Sequence, residues 1–221
     1  MKERPGIKRF VLAERLAHWL KALFFLIALV SGLLMWIPPT RAWLGASRQA
    51  VALRHGLTGY AMIVVPLLVI TVLDRRQLLS DMRQVDRWSK DDRRWFWAAM
   101  RGGTLRRREM PPQGKFNAGM KANAVLTAAI AVGFAVTGGI LLDKTGMPPW
   151  LVSRALWLHG LLAVVATALF LGHLAHVFLT RHGRGYLSAM VSGSLPEHIA
   201  QERHRTWWEQ SVSRRDSDEE P

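Results

Sequence analysis

The sequence predicts an all-α membrane protein, a bundle of four transmembrane helices with both termini in the cytoplasm. Three observations lead there. Residues 22–40, 56–73, 122–142 and 155–180 contain no Lys, Arg, Asp or Glu, and apolar runs of roughly 18 residues or more are long enough to cross a bilayer core as helices. Nearly every charge of the 221-residue chain lies between those runs, so the mean hydropathy of +0.08 averages two unlike populations. The basic residues are also divided unevenly among the connecting segments, which sets the orientation. The net charge of +14 is therefore loop charge on a membrane protein. A soluble globular enzyme and a soluble nucleic-acid binder are both excluded.

The spans follow in order. Span I covers about 17–37 and stops at Pro38-Pro39, which cannot continue a helix. It is too long for a signal-peptide core, and no small-residue cleavage pattern follows it, so it reads as a retained membrane helix. Span II covers about 51–73, span III 118–142 and span IV 154–180. Twenty-five of the 30 Lys+Arg lie in the N-terminal stretch through Lys21, from Arg75 to Lys121, or after Thr180; only Arg41, Arg48, Arg54, Lys144 and Arg154 lie on the other side. The positive-inside rule puts the termini and the segment 74–117 in the cytoplasm. That segment, expected as a long loop, holds Asp91-Asp92-Arg93-Arg94-Trp95-Phe96-Trp97, whose tryptophans suit the headgroup layer. Trp36, Trp43, Trp150 and Trp157 suit an aromatic belt on the outer face. Residues 1–210 read as one domain, and 211–221, with Asp216, Asp218, Glu219 and Glu220, as a disordered polar tail.

The chain has no cysteine, so disulfides, thiolate zinc sites and cysteine-ligated iron–sulfur clusters are excluded. Its histidines are more informative. His182, His198 and His204 lie in the tail and read as solvated. His18, His55, His159, His173 and His176 lie in spans or at their edges, where an ionisable side chain is a functional hypothesis by default. His159 and His173 are 14 residues apart on span IV, so they share a face and stand roughly 21 Å apart along the axis. His176 is turned about a quarter turn off that face.

Depth then pairs them. Spans II and IV start outside, so His55 and His159 lie near the outer end. His18 begins span I and His173 ends span IV, both near the cytoplasm. Two facing neutral imidazoles are the axial set of a six-coordinate haem b walled by bundle helices, so the pattern points to two haems stacked across the bilayer. A hydrogen-bonding role is the ordinary alternative for any one such histidine. Zinc fits less well, because structural zinc takes four ligands close together. Gly56, Gly59, Gly138, Gly139, Gly160 and Gly172 allow either close approach of a flat macrocycle or tight helix packing. Arg54 and Arg15 are candidate propionate partners or interfacial anchors.

Several stretches resemble one family. They are Glu14-Arg15-Leu16-Ala17-His18-Trp19, the tail segment His204-Arg205-Thr206-Trp207-Trp208-Glu209 and, most specifically, Gly114-Lys115-Phe116-Asn117-Ala118-Gly119-Met120-Lys121. The last is similar to the G-K-[YF]-N-A-G-Q-K stretch of the gamma subunit, a cytochrome b, of respiratory membrane-bound formate dehydrogenases, with Met120 in place of the usual Gln. The resemblance implies haem ligation by His18, His173, His55 and His159. It also implies a menaquinone or ubiquinone bound near the cytoplasmic side at Asn117, Gly119 and Lys121; a helix N-cap is the other reading of Asn117. An iron–sulfur beta subunit and a molybdenum- or tungsten-pterin alpha subunit would donate electrons from outside a bacterial inner membrane, and this chain would hold no formate-oxidising site. The nearest alternatives are the b-type cytochrome of a nickel–iron hydrogenase or of another molybdenum oxidoreductase, and a non-redox transporter using intramembrane histidine.

Overall fold

A computed structural model describes residues 6–102 and 110–219. Its elements are β1 (Ile7–Lys8), α1 (Leu12–Trp36), α2 (Pro38–Leu44), a 3₁₀ turn (Gly45–Ser47), α3 (Arg48–Asp86), α4 (Lys90–Met100), α5 (Ala118–Leu142), α6 (Pro149–Leu179), α7 (Arg181–Ser192), β2 (Ser194–Leu195), α8 (Glu197–Arg203) and α9 (Arg205–Glu219). Helices α1, α3, α5 and α6 contain the four apolar spans. Residues 118–142 match the expected span III end for end.

The chain divides into two compact units, residues 16–74 with 127–174, and residues 1–15 with 75–126 and 175–221. The first holds the apolar parts of the spans. At most 11 % of any span's apolar stretch is buried in the protein, leaving residues such as Val30, Leu67, Val132 and Val164 facing outward. So much continuous apolar surface is tolerable in lipid and not in water. Small residues set the helix spacing within this unit. A Cβ on Gly56 would lie 2.5 Å from Leu142, and one on Gly133 would lie 2.7 Å from Leu162. Phe25 packs on Phe170 with centroids 5.2 Å apart.

The second unit is organised like a small soluble domain. Ile7, Ala189, Leu195, Ile199 and Ala200 form its buried core, flanked by Phe10, Tyr186, Trp207, Trp208 and Val212. Strands β1 and β2 pair antiparallel, Ile7 opposite Leu195. Gly193 ends α7 at φ +92°, the left-handed position that glycine adopts without strain, and its carbonyl accepts from the Arg9 and Phe10 amides at 2.8 and 3.0 Å.

Two expectations change here. The segment 74–117 contains two helices among its described residues: α3 breaks at Asp74 (φ −155°, ψ 71°), runs on to Asp86, and is followed by α4, while 103–109 lie outside the described residues. Ser89 starts α4 with a reciprocal cap, its hydroxyl accepting from the Asp92 amide while the Asp92 carboxylate accepts from the Ser89 amide. Residues 211–219, expected as a disordered tail, continue α9 to Glu219. Trp207, Trp208 and Val212 anchor that helix on the apolar core, a long-range partner that composition alone does not reveal.

Candidate functional site

The first unit brings its four histidines together in two pairs. His55 on α3 faces His159 on α6 with ring centroids 6.0 Å apart, and His18 on α1 faces His173 on α6 at 6.4 Å. An iron between two imidazoles, with bonds of about 2 Å and ring centres about 1.2 Å behind each nitrogen, requires centroids about 6.4 Å apart. Both pairs fit that demand.

Hydrogen bonds orient the His55–His159 pair. His55 Nδ1 stands 3.0 Å from Ser31 Oγ and 3.1 Å from the Ala28 carbonyl. A carbonyl only accepts, so Nδ1 carries the proton and Nε2 keeps its lone pair. His159 Nδ1 stands 2.8 Å from Thr137 Oγ1, and that hydroxyl also donates to the Gly133 carbonyl at 2.7 Å. One hydroxyl proton cannot serve both contacts, so His159 also donates from Nδ1. An imidazole held through Nδ1–H with Nε2 presented is the arrangement of a metal-ligating histidine. Phe134 packs edge-on to His159 at 5.0 Å, and Trp19 to His18 at 5.3 Å.

Room around the rings is uneven. A Cβ on Gly138 would approach His159 at 3.8 Å, one on Gly32 would approach His55 at 3.2 Å, and one on Gly139 would meet the Tyr60 hydroxyl at 2.9 Å. At Gly59, one turn from His55, and at Gly160 and Gly172, beside His159 and His173, an added Cβ meets nothing within 4 Å. The glycines thus divide between helix packing, as at Gly56, Gly133 and Gly139, and positions such as Gly59, Gly160 and Gly172 where an added side chain would enter open space.

The remaining predicted residues, Arg54 apart, belong to the second unit and are bonded within it. Asn117 caps α5, its Oδ1 accepting from the Met120 amide at 2.9 Å. Gly119 leaves room for the Trp95 ring, which would lie 2.9 Å from a Cβ there. Lys121 is buried and donates to Asp92 at 2.8 Å and to the Arg87 carbonyl at 2.7 Å. Burial alone would raise the Asp92 pKa; the bonds from Lys121 and Ser89 outweigh it and hold the carboxyl below its ordinary range. Arg15 donates to the carbonyls of Met190 and Val191. Arg54, in the first unit, is exposed.

His204 corrects the reading of a solvated tail. It is fully buried, with Nε2 2.8 Å from the Tyr186 hydroxyl and Nδ1 2.7 Å from the Gly114 carbonyl. Burial, aided by the nearby Arg9 charge, pushes its pKa down to about 3. Arg9 is buried too, among the rings of Phe10, Tyr186 and Trp207 at 5.1–5.5 Å, and burial lowers its pKa to about 10. Lys115 joins the same interior, shared between Glu14 at 2.7 Å and Asp81 at 2.8 Å. Ser31, Thr137, Arg9 and Asp92 were not singled out from sequence. The available signal was a hydroxyl inside a charge-free span for the first two, and for the others only a place in a basic or mixed-charge segment.

Four membrane-length helices with interhelical imidazole pairs define a multi-pass membrane cytochrome of b type. Residues 9–193 match the family described as prokaryotic cytochrome b561, and the chain belongs to that family. Membership implies a b-type haem. The chain is also 26 % identical over 214 residues, 94 % of each chain, to the formate dehydrogenase cytochrome b556(fdo) subunit of Escherichia coli K12. The corresponding subunits of strains O6:H1 and O157:H7 match to the same extent.

Proposed function

We propose that this chain is the membrane-anchoring cytochrome b subunit of a formate dehydrogenase complex in a bacterial inner membrane, with two bis-histidine haems b. The observation that carries the reading is the pair of imidazole couples at 6.0 and 6.4 Å, each joining different spans. His55 and His159 would hold the haem nearer the outside, and His18 and His173 the haem nearer the cytoplasm. The haems supply one-electron carriage between an outer iron–sulfur subunit and a quinone. The protein contributes neutral imidazoles at fixed separation and an apolar surround that excludes water. The relatives' name supports formate as the ultimate donor, and the resemblance of the motifs implies that a molybdenum or tungsten subunit would oxidise it and not this chain. The charge asymmetry of the connecting segments supports cytoplasmic termini.

Quinone binding at Asn117, Gly119 and Lys121 rests on the resemblance of their motif. Because Asn117 Oδ1 is committed to the helix cap, its amide NH₂ is the group that would donate to a quinone carbonyl. Lys121 and Trp95 would then hold the binding segment in place. Arg54 remains the better propionate candidate, since Arg15 is engaged with the end of α7.

The test is haem content of the purified chain by pyridine haemochrome assay, followed by reduction of the membranes with formate. Two b haems per chain that reduce with formate and reoxidise with a quinone are expected. A protein colourless despite ample haem supply would overturn the cytochrome reading. Haems reduced by hydrogen but not by formate would reassign the partner enzyme.

A further inference from the structure

We propose that Ser31 and Thr137 are positioning residues of the His55–His159 pair: with the Ala28 carbonyl they fix both rings as Nδ1–H tautomers and set how strongly Nε2 donates to a bound iron. The inference rests on the reading of this pair as haem ligands. It starts from hydroxyl geometry. Ser31 Oγ lies 2.8 Å from the Ile27 carbonyl and 3.1 Å from that of Ala28. Thr137 Oγ1 lies 2.7 Å from the Gly133 carbonyl. Each hydroxyl gives its proton back to its own helix, so toward the imidazole it acts as an acceptor. Thr137 is only 3 % exposed, which leaves no water to take its place.

Bonds of this kind reach across helices. Ser31 and Ala28 sit on α1 and orient a ring from α3; Thr137 sits on α5 and orients a ring from α6. The hydroxyls therefore tie ring rotation to helix placement, which makes the iron-facing direction of Nε2 a property of the bundle. An acceptor on Nδ1–H raises ligand basicity, and a more basic ligand favours the oxidised iron. Removing the acceptor should move the potential of the haem on this pair upward and leave the other unmoved. The two residues should also differ. His159 gains its bond from Thr137, whereas His55 has both Ser31 and the Ala28 carbonyl, and the backbone acceptor survives any substitution at Ser31.

The experiment is a redox titration of the haem absorption, with low-temperature electron paramagnetic resonance of the oxidised haems, on the full-length haem-loaded chain. Thr137→Val should raise one of two midpoint potentials and shift one low-spin signal. Thr137→Ser should restore both, and Ser31→Ala should move the same transition by less. A merely structural hydroxyl, bonded to its own helix, would alter stability without a selective shift. If Thr137→Val keeps both haems and moves neither potential nor signal, the inference is wrong. Should that variant lose the haem, Ser31→Ala decides: a shift confined to one transition supports the inference, and none overturns it. A wild-type chain that binds no haem would instead sink the cytochrome reading itself.

Discussion

The two units of this protein solve opposite problems with polar groups. The spanning unit leaves its apolar side chains outward and keeps a few neutral polar groups between helices, His55 bonded to Ser31 and the Ala28 carbonyl and His159 to Thr137. The other unit hides whole charges: Lys121 with Asp92, Lys115 with Glu14 and Asp81, and Arg9 among aromatic rings. The contrast teaches what each solvent permits. In hydrocarbon an unpaired charge is too costly to keep, so chemistry there is left to neutral ligands that want a metal. Where water is near, buried ion pairs can form, and removing one partner strands the other.

Substitutions should break this contrast in order of effect. His173→Ala should reduce haem content from two per chain to one and stop quinone reduction, with His55→Ala removing the other haem; haemochrome assay counts them. Both variants retaining two low-spin haems would show the pairing to be wrong. The next largest effect is expected in the charged interior. His204, with its pKa near 3 in the fold and an ordinary 6.5 when unfolded, binds fewer protons folded than unfolded between those values. Its contribution to stability is therefore full above about pH 6.5 and is lost as pH falls toward 3, a change on the order of a few kcal/mol. Thermal unfolding followed against pH should show that slope, and His204→Phe should flatten it.

Lys121→Met strands Asp92 and should destabilise the charged unit by about 3 kcal/mol. Limited proteolysis near α4 would detect it, and adding Asp92→Asn should recover part of the loss. An unchanged proteolysis rate would mean that the pair adds nothing to stability. The smallest change is expected from Gly193→Ala. A side chain at φ +92° is strained, and its Cβ would stand 3.0 Å from the Phe10 carbonyl, so a destabilisation of about 1 kcal/mol is expected, read as a small drop in melting temperature.

Much of the candidate site was legible before the fold. Helix rise converts the 14-residue separation of His159 and His173 into two depths, and alternating span direction supplies each with a partner of matching depth. What periodicity cannot convey is rotation about a helix axis, so the roles of Ser31 and Thr137 stayed hidden among ordinary hydroxyls. His204 was misread because a polar, charged neighbourhood in sequence conceals a partner 90 residues away at Gly114. The helix through 211–219 was missed for the same reason: its support is the core around Leu195 and not its own composition.

By itself, the sequence determined the four spans and the position of each histidine along its span. Bilayer thickness dictates the length of an apolar run, and a helix has one rise per residue. Only the tertiary structure decided which nitrogen of His55 and His159 carries the proton, that Asn117 caps α5, and that Lys121 and His204 are interior groups. Those outcomes depend on atoms meeting at about 3 Å across separate helices, and such meetings are settled by packing, not by local pattern.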